Sequence, residues 1–334
     1  QTFVVNEKDE VEYGLSALKD VGKKFIEDVC AERANGDFVS LMDFASRVDL
    51  RKGGIRALNS LAKSGAFDDL CSRDEAVSSI KNYLEASEQK FKSKESAVMD
   101  MFGSEQDIEV SGFDLRTFND SEKLTMELES YGFYFSKHPI ALMRKTLSSK
   151  LATINKLAPA SNEKYIPVLI NNKRVVKKGM SMFVFLEVSD ETGIIDVSVP
   201  LEIFDEKKQL IKENAMVMLK GTVVTDDYRK GNYEEVGVKI RATDLMPIDQ
   251  GKKLVTSKIM LDIPRDKIKE LGNGKFKEIK ELNDPEGVEV VLNMKDDSLN
   301  ISAEIKVDTF RVSLEDNTFE KINEIFGEEN YTLI

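Results

Sequence analysis

The spacing of apolar residues changes its period part-way along this chain of 334 residues. In residues 12–86 and 124–151 the apolar residues recur three and four positions apart, which predicts amphipathic helices. In residues 164–248 they alternate with polar residues in the short runs YIPVLI, MFVFLEV, IIDVSV, AMVMLKGTVV and EVGVKI. Alternation of period two predicts strands. A helical region should therefore precede a β region.

The five runs are sufficient for a small closed β-barrel, with Gly193 at the turn after the second run. The pattern is similar to an OB-fold of the kind related to anticodon-binding domains. Beyond residue 251 the pattern is mixed, with apolar runs such as GVEVVLNM, a helix predicted at residues 266–282 and another in FEKINEIFG. We expect a small α+β domain there.

Residues 13–33 predict two short helices joined by a tight turn. The connection Lys19-Asp20-Val21-Gly22 is very short, and we expect Gly22 to adopt a positive φ. The second helix would begin with free N–H groups and the positive end of its dipole, which together can hold a phosphate. Lys23 and Lys24 would lie in its first turn. The alternative is an ordinary αα-hairpin whose lysines are only solvated.

The net charge of −12 argues against a general nucleic-acid binder, because phosphate binding depends on basic side chains. The basic residues are clustered, however. Residues 164–186 contain five basic residues and no acidic one, and residues 47–63 contain five basic residues and one acidic residue. Residues 315–329 are acidic. This distribution indicates selected contact faces, with the acidic end turned to a protein partner or to solvent.

No pattern typical of a catalytic or metal site is present. The sequence has no Asp-x-Asp pair and no Gly-x-x-x-x-Gly-Lys loop, and one histidine with two distant cysteines cannot build a zinc site. We expect His138, which precedes proline, to end a helix or pack. We expect Cys30 and Cys71 to be buried free thiols, as in a reducing cytoplasm. Three adjacent aspartate pairs are better explained by solvated loops: Asp68-Asp69, Asp226-Asp227 and Asp296-Asp297.

The length predicts two or three domains. No apolar run approaches 18 residues and no signal peptide is recognisable, so we expect no membrane partner. The N-terminal segment has no initiator methionine, and we expect it to lie within a longer protein.

A short apolar segment interrupts the polar residues 87–119. Short segments that end in an aliphatic residue and Phe dock in hydrophobic pockets, and the surrounding linker supplies reach. The alternative is that the segment packs on its own domain. It consists of Val98, Met99, Asp100, Met101 and Phe102.

Four blocks stand in a characteristic order and spacing: YGLSALKDVGKKFIEDVCAER (13–33), FVSLMDFASRVDLRKGGIRALNSLAKSGAFDDL (38–70), YGFYFSKHPI (131–140) and FVFLEVSDETGIIDVSVP (183–200). Together they resemble the C-terminal third of the alpha subunit of bacterial replicative DNA polymerase III, over nearly the whole chain. The resemblance implies a non-catalytic segment of a DNA-directed DNA polymerase, a nucleotidyltransferase that acts in chromosomal replication in the cytoplasm. It implies that Mg²⁺ belongs to the catalytic part of the parent protein, and that this segment needs no cofactor.

The resemblance also implies a division of the chain. We expect a helix-hairpin-helix region at residues 1–86, a linker with a clamp-binding-like motif at 87–120, a helical connector at 121–160, an OB-fold at 161–249 and a tau-binding-like α+β domain at 250–334. The first region would hold duplex DNA through Val21, Gly22, Lys23, Lys24, Arg51 and Lys52. The usual motif has two glycines flanking an apolar residue, whereas Asp20 stands at the first of these positions and would place a carboxylate near the phosphate.

By the same resemblance the OB-fold would bind single-stranded DNA on its second and third strands and the adjoining loops. The expected residues are Lys173, Arg174, Lys177, Lys178, Phe183, Tyr228, Arg229 and Lys230. Phe183 and Phe185 point to one face of their strand and Val184 and Leu186 to the other, and one of these two pairs belongs to the core. Lys177 and Lys178 have an alternative role in solvating a hairpin.

Protein partners follow from the resemblance as well. The segment Val98–Phe102 is similar to the internal motif that binds the beta sliding clamp, with Met101 and Phe102 as the docking residues and Val98 where the motif usually has Gln. The α+β domain would bind the tau subunit of the clamp loader.

Two other functions were compared with this one. A DNA ligase also combines an OB-fold with helix-hairpin-helix units, but NAD-dependent ligases place the barrel first and carry four zinc-binding cysteines. The other alternative is a stand-alone OB-fold protein that binds RNA, tRNA or single-stranded DNA.

Overall fold

The computed structural model describes residues 3–6, 8–97, 110, 112–178, 181–226, 237–264, 281–296, 301–327 and 330–334. The chain divides into two compact units, Gln1–Lys137 and His138–Ile334. Each unit has its own hydrophobic core.

The first unit is helical apart from a two-stranded ladder of β1 (Val4–Val5) and β2 (Val11–Glu12). A 3₁₀ turn follows at Leu15–Ala17, and a second 3₁₀ turn lies at Leu50–Lys52. The α-helices are α1 (Lys23–Arg33), α2 (Leu41–Arg47), α3 (Gly54–Ser64), α4 (Arg73–Ala97) and α5 (Asp120–Tyr131).

Helix α3 lies at the centre of this unit. Its apolar face buries Leu58 and Leu61 completely or nearly so, as the helical spacing predicts. The helix ends at Gly65, whose φ of 81° is the left-handed conformation typical of a glycine C-cap.

The boundary predicted at residue 86 does not coincide with the end of a helix. Helix α4 is 25 residues long and continues from residue 86 to Ala97, so the first part of the predicted linker is helical. Helix α5, expected in a connector, lies in the first unit, where the Tyr131 hydroxyl donates to the Ser64 carbonyl oxygen at 3.0 Å. A capping box of Asn119 and Glu122 starts α5.

The second unit begins with the short helix α6 (Pro139–Met143) and 3₁₀ turns at Arg144–Thr146 and Ile154–Lys156. Five strands then close into a barrel in the order β3-β4-β5-β7-β6. They are β3 (Ala160–Lys178), β4 (Ser181–Asp190), β5 (Gly193–Val199), β6 (Met216–Thr225) and β7 (Val238–Met246), and α7 (Leu201–Lys207) lies between β5 and β6. The five predicted strands and the predicted barrel are thus confirmed.

Closure depends on β3, which pairs with β6 along its first half and with β4 along its second half. A register shift between Ile170 and Asn172 separates the two halves and bends the strand. Strands β5 and β7 complete the ring through a short parallel contact, Val197 with Ile240. The barrel core contains fully buried residues such as Ile166, Val197 and Leu219.

Beyond the barrel, α8 (Ile248–Val255) leads into a four-stranded sheet of order β10-β9-β8-β11. Its strands are β8 (Lys258–Pro264), β9 (Asn283–Asp296), β10 (Ile301–Val312) and β11 (Tyr331–Leu333), and α9 (Asp316–Phe326) packs on it through Phe319, Ile322 and Phe326. The predicted α+β character is confirmed. The helix predicted at residues 266–282 lies almost entirely outside the described residues.

One buried carboxylate fixes the turn between β4 and β5. The Asp190 side chain accepts hydrogen bonds from the N–H groups of Thr192 (2.7 Å), Gly193 (3.1 Å) and Ile154 (2.7 Å), and also from the Thr192 hydroxyl (2.6 Å). It therefore joins the turn to the 3₁₀ segment before the barrel.

We predict that Asp190→Ala destabilises the barrel by about 3 kcal/mol, because it leaves the buried Ile154 N–H and two N–H groups of the turn without their acceptor. The measurement is urea unfolding followed through the amide NMR signals of the barrel strands. Asp205→Ala, at an exposed site on α7, is the control and should change stability by less than about 0.5 kcal/mol. Equal stability of the Asp190→Ala protein and the wild type would contradict this role.

Candidate nucleic-acid interface

The hairpin of residues 13–33 is held by its apolar side chains. Leu18, Val21 and Phe25 are buried in the core of the first unit. The N–H of Val21 donates to the Leu18 carbonyl oxygen at 3.3 Å, which tightens the turn. Helix α1 then starts from Gly22 without a side-chain cap and without an acidic residue in its first turn. The first turn of α1 thus lacks the protein groups that normally satisfy its N–H groups.

Two details of the hairpin differ from the predictions. The first of the two expected helices is only the 3₁₀ turn Leu15–Ala17. Gly22 has φ −73° and ψ 134°, so the predicted positive φ at Gly22 is wrong. Asp20 has the positive φ instead, at 62°. Asp tolerates this conformation better than most residues, because its short polar side chain can bond locally. Asp20 therefore adopts the conformation for which a glycine would be preferred.

Lys19 fixes the hairpin to the end of α5. Its N–H donates to the Ser130 carbonyl oxygen at 2.9 Å, and its Nζ donates to the Leu128 carbonyl oxygen at 3.2 Å. A cation at this position also complements the negative end of the α5 dipole. No local sequence pattern indicates this role, because the partner atoms are backbone oxygens more than a hundred residues away.

The predicted duplex-binding residues differ in how free their side chains are. Lys24 is exposed, and Lys23 lies 4.0 Å from Glu27 with 73% of its side chain exposed. The Lys52 Nζ contacts Asp28 at 2.7 Å, and this hydrogen bond raises the pKa of Lys52. Val21 is buried, so only its backbone can reach a ligand. These residues remain predictions for duplex binding.

Arg51 is the most strongly engaged of this set. Its Nη2 lies 2.7 Å from the Asp49 carboxylate and 2.6 Å from the Glu95 carboxylate. The hydrogen bonds from Arg51 lower the pKa of both acids, so both are charged at neutral pH. Arg51 would have to exchange one of these carboxylates for a phosphate in order to bind DNA.

The barrel places its two phenylalanines on the outer face of β4. Val184, Leu186 and Val188 are buried, whereas Phe183 is 46% exposed and Phe185 is partly exposed. The alternating pattern left open which set of side chains forms the core. The valine and leucine set does, and the phenylalanines face outward. A side chain on the outer face is accessible to a base.

One basic residue of β3, Arg174, lies opposite these rings, whereas Lys173 and Lys177 are paired with Leu186 and Met182 and alternate to the other face. Arg174 is paired in register with Phe185, and Val176 with Phe183. The Arg174 guanidinium also lies 3.7 Å from the Asp196 carboxylate on β5, and 65% of the Arg174 side chain is exposed. Lys173 and Lys177 are exposed. Lys178 ends β3.

Two sets of predicted residues lie outside the described residues. The first is the set Tyr228, Arg229 and Lys230 in the connection between β6 and β7. The second is the segment Val98–Phe102 that follows α4. Both remain predictions from the sequence.

His138 caps α6 and is part of a hydrogen-bond chain. Its Nδ1 accepts from the Ile140 N–H at 3.2 Å, so the proton lies on Nε2, which donates to the Ser189 Oγ at 2.9 Å. Ser189 donates in turn to the Asn171 Oδ1 at 2.8 Å. Burial lowers the pKa of His138. Because the imidazole donates rather than accepts, it does not activate the serine. His138 starts α6 as its N-cap and does not end a helix, so of the two expected roles only packing fits its position.

The described part of the chain holds no group of three or more His, Cys, Asp or Glu side chains that could bind a metal ion. Cys30 and Cys71 are free thiols, but both are only partly buried and not buried as predicted. Desolvation with nearby acidic charges raises the pKa of Cys71 to about 11. None of the helices in the described ranges is long and apolar enough to cross a membrane.

Comparison with known proteins adds to this geometry. Residues 1–76 match a family model described as a helix-hairpin-helix motif, and residues 168–248 match one described as an OB-fold nucleic acid binding domain. DNA polymerase III subunit alpha of Pasteurella multocida is 29% identical over 277 residues, which is 80% of this chain and 23% of that protein. The Escherichia coli K12 protein is 28% identical over 263 residues, 75% of this chain and 22% of the relative.

The Vibrio cholerae alpha subunit is 24% identical over 343 residues, and it aligns with 99% of this chain and 29% of its own length. The chain is similar to the C-terminal part of DNA polymerase III alpha subunits. It spans about a quarter of the length of the curated relatives that it matches. The helix-hairpin-helix match covers the hairpin from Tyr13 to Arg33, and the OB-fold match ends at Ile248, just after β7.

We predict that Asp20→Gly in this alpha-subunit-like chain raises duplex affinity by about threefold, because one partly screened negative charge is removed beside the hairpin. Fluorescence anisotropy with a labelled duplex measures it. The matched control is Asp9→Gly, since Asp9 also has a positive φ, 59°, and lies outside the hairpin. Weaker duplex binding by Asp20→Gly than by Asp9→Gly would contradict the repulsion by Asp20.

Proposed function

We propose that this chain is a non-catalytic, DNA-holding C-terminal segment of the alpha subunit of a bacterial replicative DNA polymerase. The observation that carries the proposal is the presence of two nucleic-acid-binding modules in one chain, in the order of the alpha subunits. Each module offers a contact suited to a different form of DNA.

The hairpin suits duplex DNA. A helix N-terminus without an intramolecular cap offers N–H groups and a positive dipole end to a phosphate oxygen, and this contact needs no particular base. Lys23 and Lys24 add positive charge in the same turn. Contact with the backbone alone is what a replicative protein needs, because it must hold every sequence in turn.

The barrel suits a single strand. An exposed ring at Phe183 offers a stacking surface, and Arg174 of the adjacent β3 lies on the same face for the phosphates. Stacking on an aromatic ring tolerates any base, so the barrel would hold unpaired template without regard to sequence. Tyr228, Arg229 and Lys230 would extend this surface.

The polymerase reaction would belong to the part of the alpha subunit that this chain does not match. A palm needs acidic side chains grouped around Mg²⁺, and the described ranges contain no such group. The segment itself would therefore contribute binding and positioning in the cytoplasm, while the parent protein would carry the nucleotidyltransferase activity and its Mg²⁺.

Protein partners are part of the proposal. The segment Val98–Phe102 follows the end of α4 and has the aliphatic and aromatic residues of a clamp-docking peptide. The α+β domain, with acidic residues from Glu315 onward, would contact the tau subunit of the clamp loader. These two contacts would join the DNA-holding segment to the rest of a replication machine.

A stand-alone RNA- or tRNA-binding OB protein is the alternative, and the match of residues 168–248 to a nucleic-acid-binding OB model is compatible with it. Competition between single-stranded DNA and RNA of one sequence, at one fixed salt concentration, separates the two. DNA should compete at least as well as RNA. A strong preference for RNA would favour the alternative.

We predict that Phe183→Ala weakens binding of single-stranded DNA by about tenfold, the loss expected for one stacked base. Duplex binding should change little, because Phe183 is distant in sequence from the hairpin and lies in the other unit. Fluorescence anisotropy with both probes makes the comparison. Leu254→Ala removes a side chain that is 61% exposed on α8, and serves as the control for loss of exposed apolar surface.

If Phe183→Ala and Leu254→Ala bind single strands equally well, the stacking surface is not on β4. If Phe183→Ala weakens duplex and single-strand binding by the same factor, the assignment of duplex binding to the hairpin and single-strand binding to the barrel is wrong.

We predict that Phe102→Ala abolishes measurable binding of a peptide of residues 96–104 to the cognate sliding clamp, because the aromatic side chain contributes most of the energy of such docking. Asp100→Asn is the control and should retain binding. Calorimetry with the peptide, followed by the same substitution in the whole chain, gives the measurement. Unchanged clamp binding by the Phe102→Ala chain would remove this partner from the segment.

A further inference from the structure

A small polar pocket lies beside the hairpin in the first unit. Its volume is about 210 Å³. Asp20 of the hairpin forms one wall and Glu129 near the end of α5 another. The third wall is a stripe on α3 whose members are spaced by three and four positions and therefore share one helix face. The stripe consists of Arg56, Asn59, Ser60 and Lys63.

Ser60 gives the pocket its unusual feature. The side chain is only 7% exposed, and its Oγ has no hydrogen-bond partner among the described residues. Nearby serines are satisfied, since Ser64 Oγ donates to the Leu61 carbonyl oxygen at 2.9 Å and Ser130 Oγ to the Met126 carbonyl oxygen at 2.8 Å. A buried hydroxyl without a partner costs stability. Because Ser60 lines the pocket, a ligand there can supply the missing hydrogen bond.

The charges of the pocket are only partly paired. Lys63 Nζ lies 2.5 Å from the Glu129 carboxylate, so these two charges neutralise each other. Arg56 is exposed and forms no ion pair with any described residue. Its guanidinium, the Asn59 amide and the Ser60 hydroxyl are therefore free donors on one face of α3. Asp20 is the opposing charge at the wall.

We propose that this pocket, here called the α3 pocket, binds a phosphate group. Arg presents a planar set of N–H donors that matches two phosphate oxygens, and the hydroxyl of Ser60, one helical turn further on, reaches a third. A metal ion is disfavoured by the two cationic side chains, and the polar lining disfavours an apolar ligand. The phosphate is either part of a DNA backbone or belongs to a small free phosphate compound.

For a DNA phosphate the inference rests on the proposed function. The α3 pocket shares Asp20 with the hairpin, so a strand held at the first turn of α1 would pass its mouth. Residues Arg56, Asn59 and Ser60 would then hold a second phosphate of the same duplex. The assignment adds α3 side chains to a surface that was otherwise built from the hairpin turns.

The test uses the whole chain with three variants. Arg56→Gln removes the free cation, and Ser60→Ala removes the buried hydroxyl. Glu129→Gln releases Lys63 from its carboxylate, so it should act in the opposite direction. Arg33→Gln is the matched control, since Arg33 is an exposed arginine in the last turn of α1 and lies outside the pocket. Duplex binding is followed by anisotropy, and inorganic phosphate by the amide NMR signals of α3.

We expect Arg56→Gln to weaken duplex binding by about threefold to tenfold and to reduce the salt slope by about one. Ser60→Ala should weaken it by about threefold without lowering the thermal midpoint, since the substitution removes an unsatisfied hydroxyl. Glu129→Gln should strengthen it. Inorganic phosphate should shift the α3 signals of the wild type and not those of Arg56→Gln. If Ser60 had only a structural role, Ser60→Ala would not weaken duplex binding while leaving the thermal midpoint unchanged.

The other outcomes separate the two proposals. If phosphate shifts the α3 signals while all three variants bind duplex like the control, the pocket takes a small free phosphate compound and not the DNA backbone. If the wild type binds no duplex but phosphate still shifts α3, the proposed function fails and the α3 pocket stands. If neither duplex affinity nor the phosphate shifts depend on Arg56 and Ser60, the α3 pocket is overturned while hairpin binding is unaffected.

Discussion

The barrel depends on one strand that serves two partners. Strand β3 pairs with β6 along its first half and with β4 along its second, and the shift between Ile170 and Asn172 lets it turn from one to the other. The same pairing fixes which side of β4 faces the core, because a slip of one residue would exchange the two faces. The outward position of Phe183 is thus a consequence of barrel closure. A binding surface on β4 follows from the way in which the ring is closed.

The helical unit positions its hairpin by different means. Apolar side chains bury the turn from within, and Lys19 joins it from outside to the end of α5. The backbone at Asp20 is held in a conformation that costs about 1 kcal/mol for most side chains. Burial of Leu18 and Val21 on either side offsets that cost. The groups that face a ligand are therefore backbone N–H groups whose positions are set by the core.

The sequence predicted the strands and the order of the helical and β regions, because burial on one face leaves a periodic pattern. It did not predict that α4 reaches Ala97, since Phe91 is the only large apolar residue from 87 to 97 and the segment is held partly by pairs such as Lys92 with Glu88 at 3.2 Å. The positive φ was assigned to Gly22 because of its residue type alone. Packing of the turn decides which residue adopts that conformation, and here it is Asp20. Arg51 and Lys52 were predicted to contact duplex DNA, and besides the neighbouring Asp49 their partners are Glu95 and Asp28, which come from elsewhere in the chain. Pairings of this kind have no signature in local sequence.

Helix α8 joins the barrel to the C-terminal sheet and packs closely against both. Gly251 lies so close to Met218 of β6 that a Cβ at this position would overlap the methionine side chain. The next residue, Lys252, is 2% exposed, and its Nζ lies 4.4 Å from the centre of the Phe319 ring on α9. Two successive residues of α8 thus contact the barrel and the C-terminal α+β domain. The barrel and the C-terminal sheet are therefore joined through packed side chains of α8, and a displacement of either one at this contact requires the other to repack.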